Sequence, residues 1–351
     1  MNLFPRHIIF NGQQTKIKTL LKKNTANSWE QGFIGFLAEW YNDEDSIEVQ
    51  TSGSTGVPKL ISLKKAFIAE SAARTIGFFG LKQGDRILHC LPSRYIAGKL
   101  MLVRALVGEL DLHLVDPSSD FSFLKTNHFK FAAMVVNQVG KLFKFGNEWN
   151  LEHLLIGGSA IPLSLESKLQ QTKTKCYSSY AMTETATHIA LRKLNGTTRD
   201  EYYHCLEGIH VELSKNSCIR INMPGLENGF IETNDLGELK DTKTFKVFGR
   251  VDNVIISGGI KFLPEQIEKK LENCISYPFA ISSVPDDQLG EKMVLVVEGI
   301  SDEKLKSNLE KTCKEFLSKY ECPKEIVFID KLPNTSNGKL DRNLLFLRIK
   351  K

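Results

Sequence analysis

The sequence predicts an α/β protein, a large N-terminal domain with mixed, mostly parallel sheets and helices, followed by a small α+β C-terminal domain. Three observations carry this. Short apolar runs alternate with helical periodicity up to about residue 240, the pattern of strands joined by crossover helices. The pattern changes after Arg250 into a compact series with its own apolar positions. A length of 351 residues suits one large and one small domain.

The runs "RILHCL", "DLHLVD", "FAAMVV" and "HLLIGG" read as buried strands. Between and before them, "LKKAFIAESAARTIGFFG" and "YIAGKLMLVRALVGE" carry helix periodicity. After "FKVFGRVDN" the boundary is placed at 250–253, giving domains 1–250 and 251–351. "LPEQIEKKLEN" opens a helix with Pro264 near its first position and sets Ile267 and Leu271 one turn apart. "FAISSV", "KMVLVVEG" and "EIVFID" read as strands. In "DEKLKSNLEKTCKEFLSKY", Leu305, Leu309, Cys313, Phe316 and Tyr320 mark one apolar face of a long helix.

Composition excludes several classes. Hydrophobic residues at 42% and charged residues at 25% are ordinary for a folded domain. The net charge of +5 is spread over scattered lysines, without the clustered basic and aromatic footprint of a nucleic-acid binder. No apolar run approaches the length of a membrane span, and "MNLFPRHIIFNGQQ" lacks the apolar core of a signal peptide. The seven cysteines are odd in number and contain no Cys-x-x-Cys pair, which fits reduced thiols and a cytoplasmic location. The expected partners are small molecules, with no nucleic acid and no membrane; oligomeric state stays open, a homodimer included.

Chemistry concentrates in a few segments. "TSGSTGVPKL" supplies Thr51, Ser52, Ser54 and Thr55 as hydroxyl donors, Gly53 and Gly56 for close backbone approach, and Lys59 as a charge. It could hold phosphate or form a plain surface turn, and it lacks the spacing of the common NTPase loop. "IGGSAIPLSL" follows a buried strand with Gly157, Gly158, Ser159 and Ala160. "SSYAMTETATH" brings an aromatic ring, hydroxyls and a carboxylate within a few residues. Asp235, Arg250 and Asp252 bracket the boundary, and "LPNTSNGKLDR" presents Lys339 in a glycine-containing turn.

Together and in this order, from about Thr51 to Arg342, these segments resemble the adenylate-forming superfamily of acyl-CoA ligases, adenylation domains and luciferases. The short chain and "SGGIKFLPEQIE" are most similar to the branch that ligates 2-succinylbenzoate to CoA in menaquinone biosynthesis. The resemblance implies an ATP-dependent acid–thiol ligase that forms an acyl-adenylate and then a CoA thioester, with Mg²⁺ as cofactor and ATP and CoA as co-substrates. It implies that Thr51 to Gly56 hold the departing phosphates, with Lys59 in support. Ser179, Tyr180, Ala181, Met182 and Thr183 would line the nucleotide, Tyr180 against adenine and Thr183 at the α-phosphate, beside the Gly157–Ala160 loop. Glu184 would ligate Mg²⁺, Asp235 the ribose hydroxyls, and Arg250 would help hold the nucleotide. Asp252 would be the hinge of a mobile C-terminal domain, Lys339 the adenylation lysine, and Gly258, Gly259 and Lys261 the passage for CoA.

An aromatic dicarboxylic acid needs a partner for its spectator carboxylate. Lys99 and Arg104 lie in an apolar helical stretch, where a charge is costly without a partner. Lys99 is the preferred candidate; Arg104 is about 140° further around a helix. Ser178 and His188 are weaker candidates for the pocket wall. Departures from the family pattern are Ala181 and Asn234 in place of glycines, Arg94-Tyr95 where a gating residue is usual, and only fifty residues before the phosphate loop. Competing readings are another aryl- or acyl-CoA ligase, a carrier-protein adenylation enzyme, and a nucleotide-binding protein without catalysis.

Overall fold

Strands whose two faces both meet helices must be apolar throughout, and such runs form the centre of a 13-stranded sheet. A computed structural model describes residues 2–50, 59–335 and 339–350. The chain starts with a hairpin, β1 (His7–Phe10) and β2 (Gln13–Lys16), followed by α1 (Ile17–Leu21) and α2 (Ser28–Trp40). Fully buried Trp40 donates its indole N–H to the Leu3 carbonyl at 3.0 Å, tying α2 to the start of the chain. The strands β3 (Ser46–Gln50) and β4 (Leu60–Lys64) form a separate antiparallel pair.

Strand–helix alternation follows: α3 (Lys65–Phe79), β5 (Arg86–His89), α4 (Ile96–Gly108), β6 (Asp111–Leu114), β7 (Phe129–Val135), α5 (Val136–Leu142), β8 (Leu151–Gly157), α6 (Leu163–Leu169) and β9 (Lys175–Ala181). The order β1, β6, β5, β7, β8, β9 is parallel throughout. Side chains alternate across it: Phe131 and Ala133 of β7 join the core under α2, α3 and α4, while Ala132 and Met134 join the core under α5 and α6. α4 fits closely because Gly98 has no side chain; a Cβ there would stand 2.3 Å from the Pro92 carbonyl oxygen.

Mostly parallel pairing holds for this centre and gives way beyond β9. The remaining strands, β10 (His188–Lys193), β11 (Tyr203–Cys205), β12 (His210–Leu213), β13 (Cys218–Asn222), β14 (Phe230–Asp241) and β15 (Thr244–Arg250), pair antiparallel. Strand–helix alternation therefore stops near residue 181, earlier than the expected 240: no helix lies between β9 and β15 among the described residues. These strands mix buried with half-exposed positions, such as Ile219 and Ile221 around Arg220, so they lack the continuous apolar runs of the centre.

The small C-terminal domain has its own sheet. β16 (Ile255–Ser257) and β17 (Ile260–Phe262) form a hairpin, and α7 (Pro264–Leu271) leads to the long antiparallel pair β18 (Phe279–Asp286) and β19 (Gly290–Glu298). α8 (Glu303–Phe316), β20 (Glu325–Ile329) and α9 (Arg342–Ile349) complete it, with β20 parallel to β19. α7 and α8 cover one face through Ile267, Leu271, Leu309 and Cys313; α9 covers the other through Leu345 and Ile349. The apolar face expected for the α8 region runs too far. The helix stops at Phe316, Leu317 turns into the core, and Phe316 and Tyr320 remain exposed at 48% and 63%. Among the described residues, no helix is long and apolar enough to cross a membrane.

Candidate active site

The antiparallel register of β14 and β15 sets Asp235 directly opposite Arg250. An Arg250 guanidinium nitrogen lies 3.5 Å from Asp235 Oδ1, and another donates to Asp252 Oδ2 at 2.8 Å. Asn234 donates from Nδ2 to both Asp252 oxygens, at 3.0 and 3.2 Å. Asp252 sits in a single 3₁₀ turn, Val251–Asn253, between the two sheets. Tyr180 donates its hydroxyl to Asp235 Oδ2 at 2.6 Å. Its ring meets Phe245 edge-on at 5.2 Å and is 9% exposed. Burial, then the Asp235 charge, raises the phenol well above its ordinary pKa, so the hydroxyl stays a donor.

The loop after β8 approaches the same region. Gly157 runs against Ser179, whose Oγ would stand 2.7 Å from any Cβ at 157, and Gly158 takes a positive φ of 91°. Gly158, Ser159 and Ala160 are exposed, as is Ala181 at the end of β9. Met182, Thr183 and Glu184 are half-buried in a tight turn. Thr185, which the sequence did not single out, holds that turn: its Oγ1 accepts from the Met182 N–H at 3.3 Å and donates to the Thr187 carbonyl at 2.8 Å. Glu184 makes no hydrogen bond or ion pair among the described residues. Those residues contain no cluster of three His, Cys, Asp or Glu side chains able to hold a metal. One open carboxylate suits Mg²⁺ as one ligand beside phosphate oxygens and water, so the donor set fits that ion with a nucleotide.

Lys339 closes this side. The Thr335 N–H donates to its carbonyl at 2.7 Å, and its own N–H donates to Thr335 Oγ1 at 3.2 Å. Burial first, then the Arg250 charge, lowers its pKa, opposed by Asp235; the ammonium therefore sits within electrostatic reach of both. Gly258 and Gly259 have φ of 58° and 80° and lie between the paired Ser257 and Ile260. They are the two central residues of a tight hairpin turn, so turn geometry alone accounts for both glycines. Lys261 is exposed beside them, and Lys59 is exposed just before β4. Thr51, Ser52, Gly53, Ser54, Thr55 and Gly56 lie outside the described residues.

The four acid-substrate candidates separate. Lys99, the preferred one, is committed to an internal ion pair, Nζ to Glu39 Oε2 at 2.7 Å, over the Phe36 ring. Arg104 is 1% exposed and finds no carboxylate among the described residues. Among the described residues it reaches Met101 Sδ at 3.4 Å and Thr187 Oγ1 at 3.5 Å and lies over the Phe131 ring at 5.8 Å, and its Nε has no partner there. Burial pulls its pKa down to about 9, which still leaves it cationic at neutral pH. His188 stands beside it, with ring nitrogens 3.3 Å from Thr75 Oγ1 and 3.3 Å from Thr187 Oγ1. Burial and then Arg104 push its pKa well below the ordinary value, so it is neutral. His89, missed in the sequence although it interrupts an apolar strand, is lowered to about 3 by the same two causes. Its Nε2 is 2.9 Å from Ser93 Oγ and its Nδ1 has no partner among the described residues. Ser178 makes a different contact: its hydroxyl is 2.9 Å from that of Tyr203, whose ring lies 5.9 Å from that of Tyr180, whereas His188 faces Thr75 of α3.

Comparison with known proteins bears on the fold and the family. An O-succinylbenzoate coenzyme A synthetase from Bacillus subtilis, in complex with ATP and magnesium ion, superposes with a TM-score of 0.79 at 18% identity, over 97% of this chain and 96% of that one. The fold is thus that of the adenylate-forming enzymes. Residues 38–209 match the AMP-binding enzyme family and residues 279–339 its C-terminal domain. An acyl-CoA synthetase (AMP-forming)/AMP-acid ligase II-like protein from Dyadobacter fermentans is 32% identical, covers 95% of this chain and 97% of its own, and has a TM-score of 0.60. The chain belongs to the AMP-binding enzyme family. A 2-succinylbenzoate–CoA ligase from Bacillus licheniformis is 27% identical over 342 residues, 86% of this chain and 70% of that protein.

Proposed function

We propose that this protein is an ATP-dependent acid–thiol ligase that activates the succinyl carboxylate of 2-succinylbenzoate and transfers the acyl group to CoA, the reaction used in menaquinone biosynthesis. One observation carries the choice of substrate. Among the described residues Arg104 is a buried cation without an acid, near two histidines that burial keeps neutral. An uncompensated guanidinium is expensive to bury, and an incoming benzoate carboxylate would supply the missing charge. The similarity to 2-succinylbenzoate–CoA ligases supports the same reading.

In the first half-reaction a carboxylate oxygen of the succinyl arm attacks the α-phosphorus of ATP. The bond to the β-phosphate oxygen breaks and pyrophosphate leaves. Asp235, held by Tyr180 and Arg250, would accept from the ribose hydroxyls. Lys339, within reach of that pair, would offset the negative charge of carboxylate and phosphate as they approach. Thr183 would meet the α-phosphate. Mg²⁺ at Glu184 would screen the phosphate charges when bound. In the second half-reaction the CoA thiolate attacks the acyl carbonyl and AMP leaves; Gly258, Gly259 and Lys261 would border its path.

A pyrophosphate-release assay across acids tests the reading, with CoA as acceptor and product identified by mass spectrometry. 2-Succinylbenzoate should exceed benzoate and medium-chain fatty acids by about tenfold or more in kcat/KM, since one missing polar contact in a built pocket forfeits at least that factor. Equal turnover of the monocarboxylates would remove the assigned substrate. Release with acid but no CoA ester would point to another acyl acceptor.

A further inference from the structure

The first N–H groups of a helix have no partner inside it, and α6 has an unusual answer. The residue before it is Pro162, which makes no side-chain cap. The N–H of Leu163, the first residue of α6, instead donates to Glu272 Oε1 at 2.8 Å, across 109 residues of sequence. Glu272 follows α7 in the small domain, whereas α6 follows the Gly157–Ala160 loop of the large one. Glu166 of α6 and Lys269 of α7 are the other charges acting on it. Glu166 is already engaged by Arg192 at 2.7 Å, so it does not compete for the amide.

The small domain thus finishes a helix of the large domain while its Lys339 lies within electrostatic reach of Asp235 and Arg250. We propose that Glu272 is a positioning residue, a clasp that ties the small domain to the 157–162 loop for adenylation and must open for thioester formation. The role in the two half-reactions rests on the ligase reading above; the tie itself does not. With the clasp shut, the glycine loop is anchored at its far end and the lysine is delivered together with it. With it open, both constraints are released at once, leaving the small domain able to turn at Asp252.

Two variants and two readouts test this. In ligand-free protein, hydrogen exchange at the Leu163 amide should quicken about tenfold in Glu272→Ala, since a charge-assisted partner is lost. Glu272→Gln keeps an oxygen acceptor and should fall between Glu272→Ala and the parent. In the assays, Glu272→Ala should lower acid-dependent pyrophosphate release about tenfold and leave thioester formation from supplied acyl-adenylate unchanged or faster. Unchanged exchange at Leu163 would overturn the clasp. Equal loss in both half-reactions, with the melting temperature kept, would overturn its selective role. If the parent protein releases no pyrophosphate with any acid, the ligase reading falls together with that role, and exchange alone decides the tie.

Discussion

At the residue scale the two cations of α4 have opposite fates. Lys99 meets Glu39, whereas Arg104 meets only weak partners among the described residues. Replacing Arg104 with methionine should therefore separate stability from selectivity. Removing a buried, unpaired charge should raise stability by on the order of 1 kcal/mol, visible as a higher melting temperature. The same variant should lose the preference for the dicarboxylic acid by about tenfold or more, with the monocarboxylates little affected. A lower melting temperature with selectivity intact would mean that Arg104 is a packing residue. The sequence showed that both cations lie in an apolar helix. It could not show which one is paired, because Glu39 lies 60 residues before Lys99. Asp235 and Arg250 were legible by resemblance to the family, but their direct opposition depends on strand register, which only pairing defines.

At the scale of elements, legibility follows how completely each one is covered. β5, β7 and β8 send side chains into the cores on both faces, so each reads as an apolar run. The antiparallel strands β12 and β14 keep half-exposed faces and lose that signal. α8 shows the reverse error, since its apolar spacing continues in "FLSKY" past the turn at which the backbone leaves the helix. The β16–β17 hairpin supplies a test in which turn and ligand demands differ. Gly258→Asn should leave the melting temperature within about 0.5 kcal/mol of stability, because Asn-Gly favours the same tight turn. If CoA passes against the backbone there, thioester formation should fall severalfold while pyrophosphate release stays. Undiminished thioester formation would reduce the glycine pair to turn chemistry.

For the whole molecule, the separate cores of the two domains predict separate melting. Leu295 is fully buried in the small sheet, against Leu271 and Leu309. Leu295→Ala should cost about 2–5 kcal/mol and lower the small domain's transition in calorimetry, with the large domain's transition shifted far less. A single transition that moves as a unit would show the domains to be one cooperative body. The two-core plan was readable from the change of pattern after Arg250. The contacts joining the parts, such as Leu163 to Glu272, were not, because a backbone amide leaves no trace in composition or spacing.

The first strand has a consequence in time. β1 is placed in the sheet by parallel pairing with β6, Ile9 beside Asp111. A chain made from its N-terminal end completes β1 long before its neighbour exists. At about 5–20 residues per second, the intervening stretch takes on the order of 5–20 s to synthesise. Throughout that interval the edge of β1 that takes β6 has no β6 strand beside it, next to the apolar side chains of Ile8 and Phe10. The nascent hairpin is therefore a point where a ribosome-associated chaperone has something to hold.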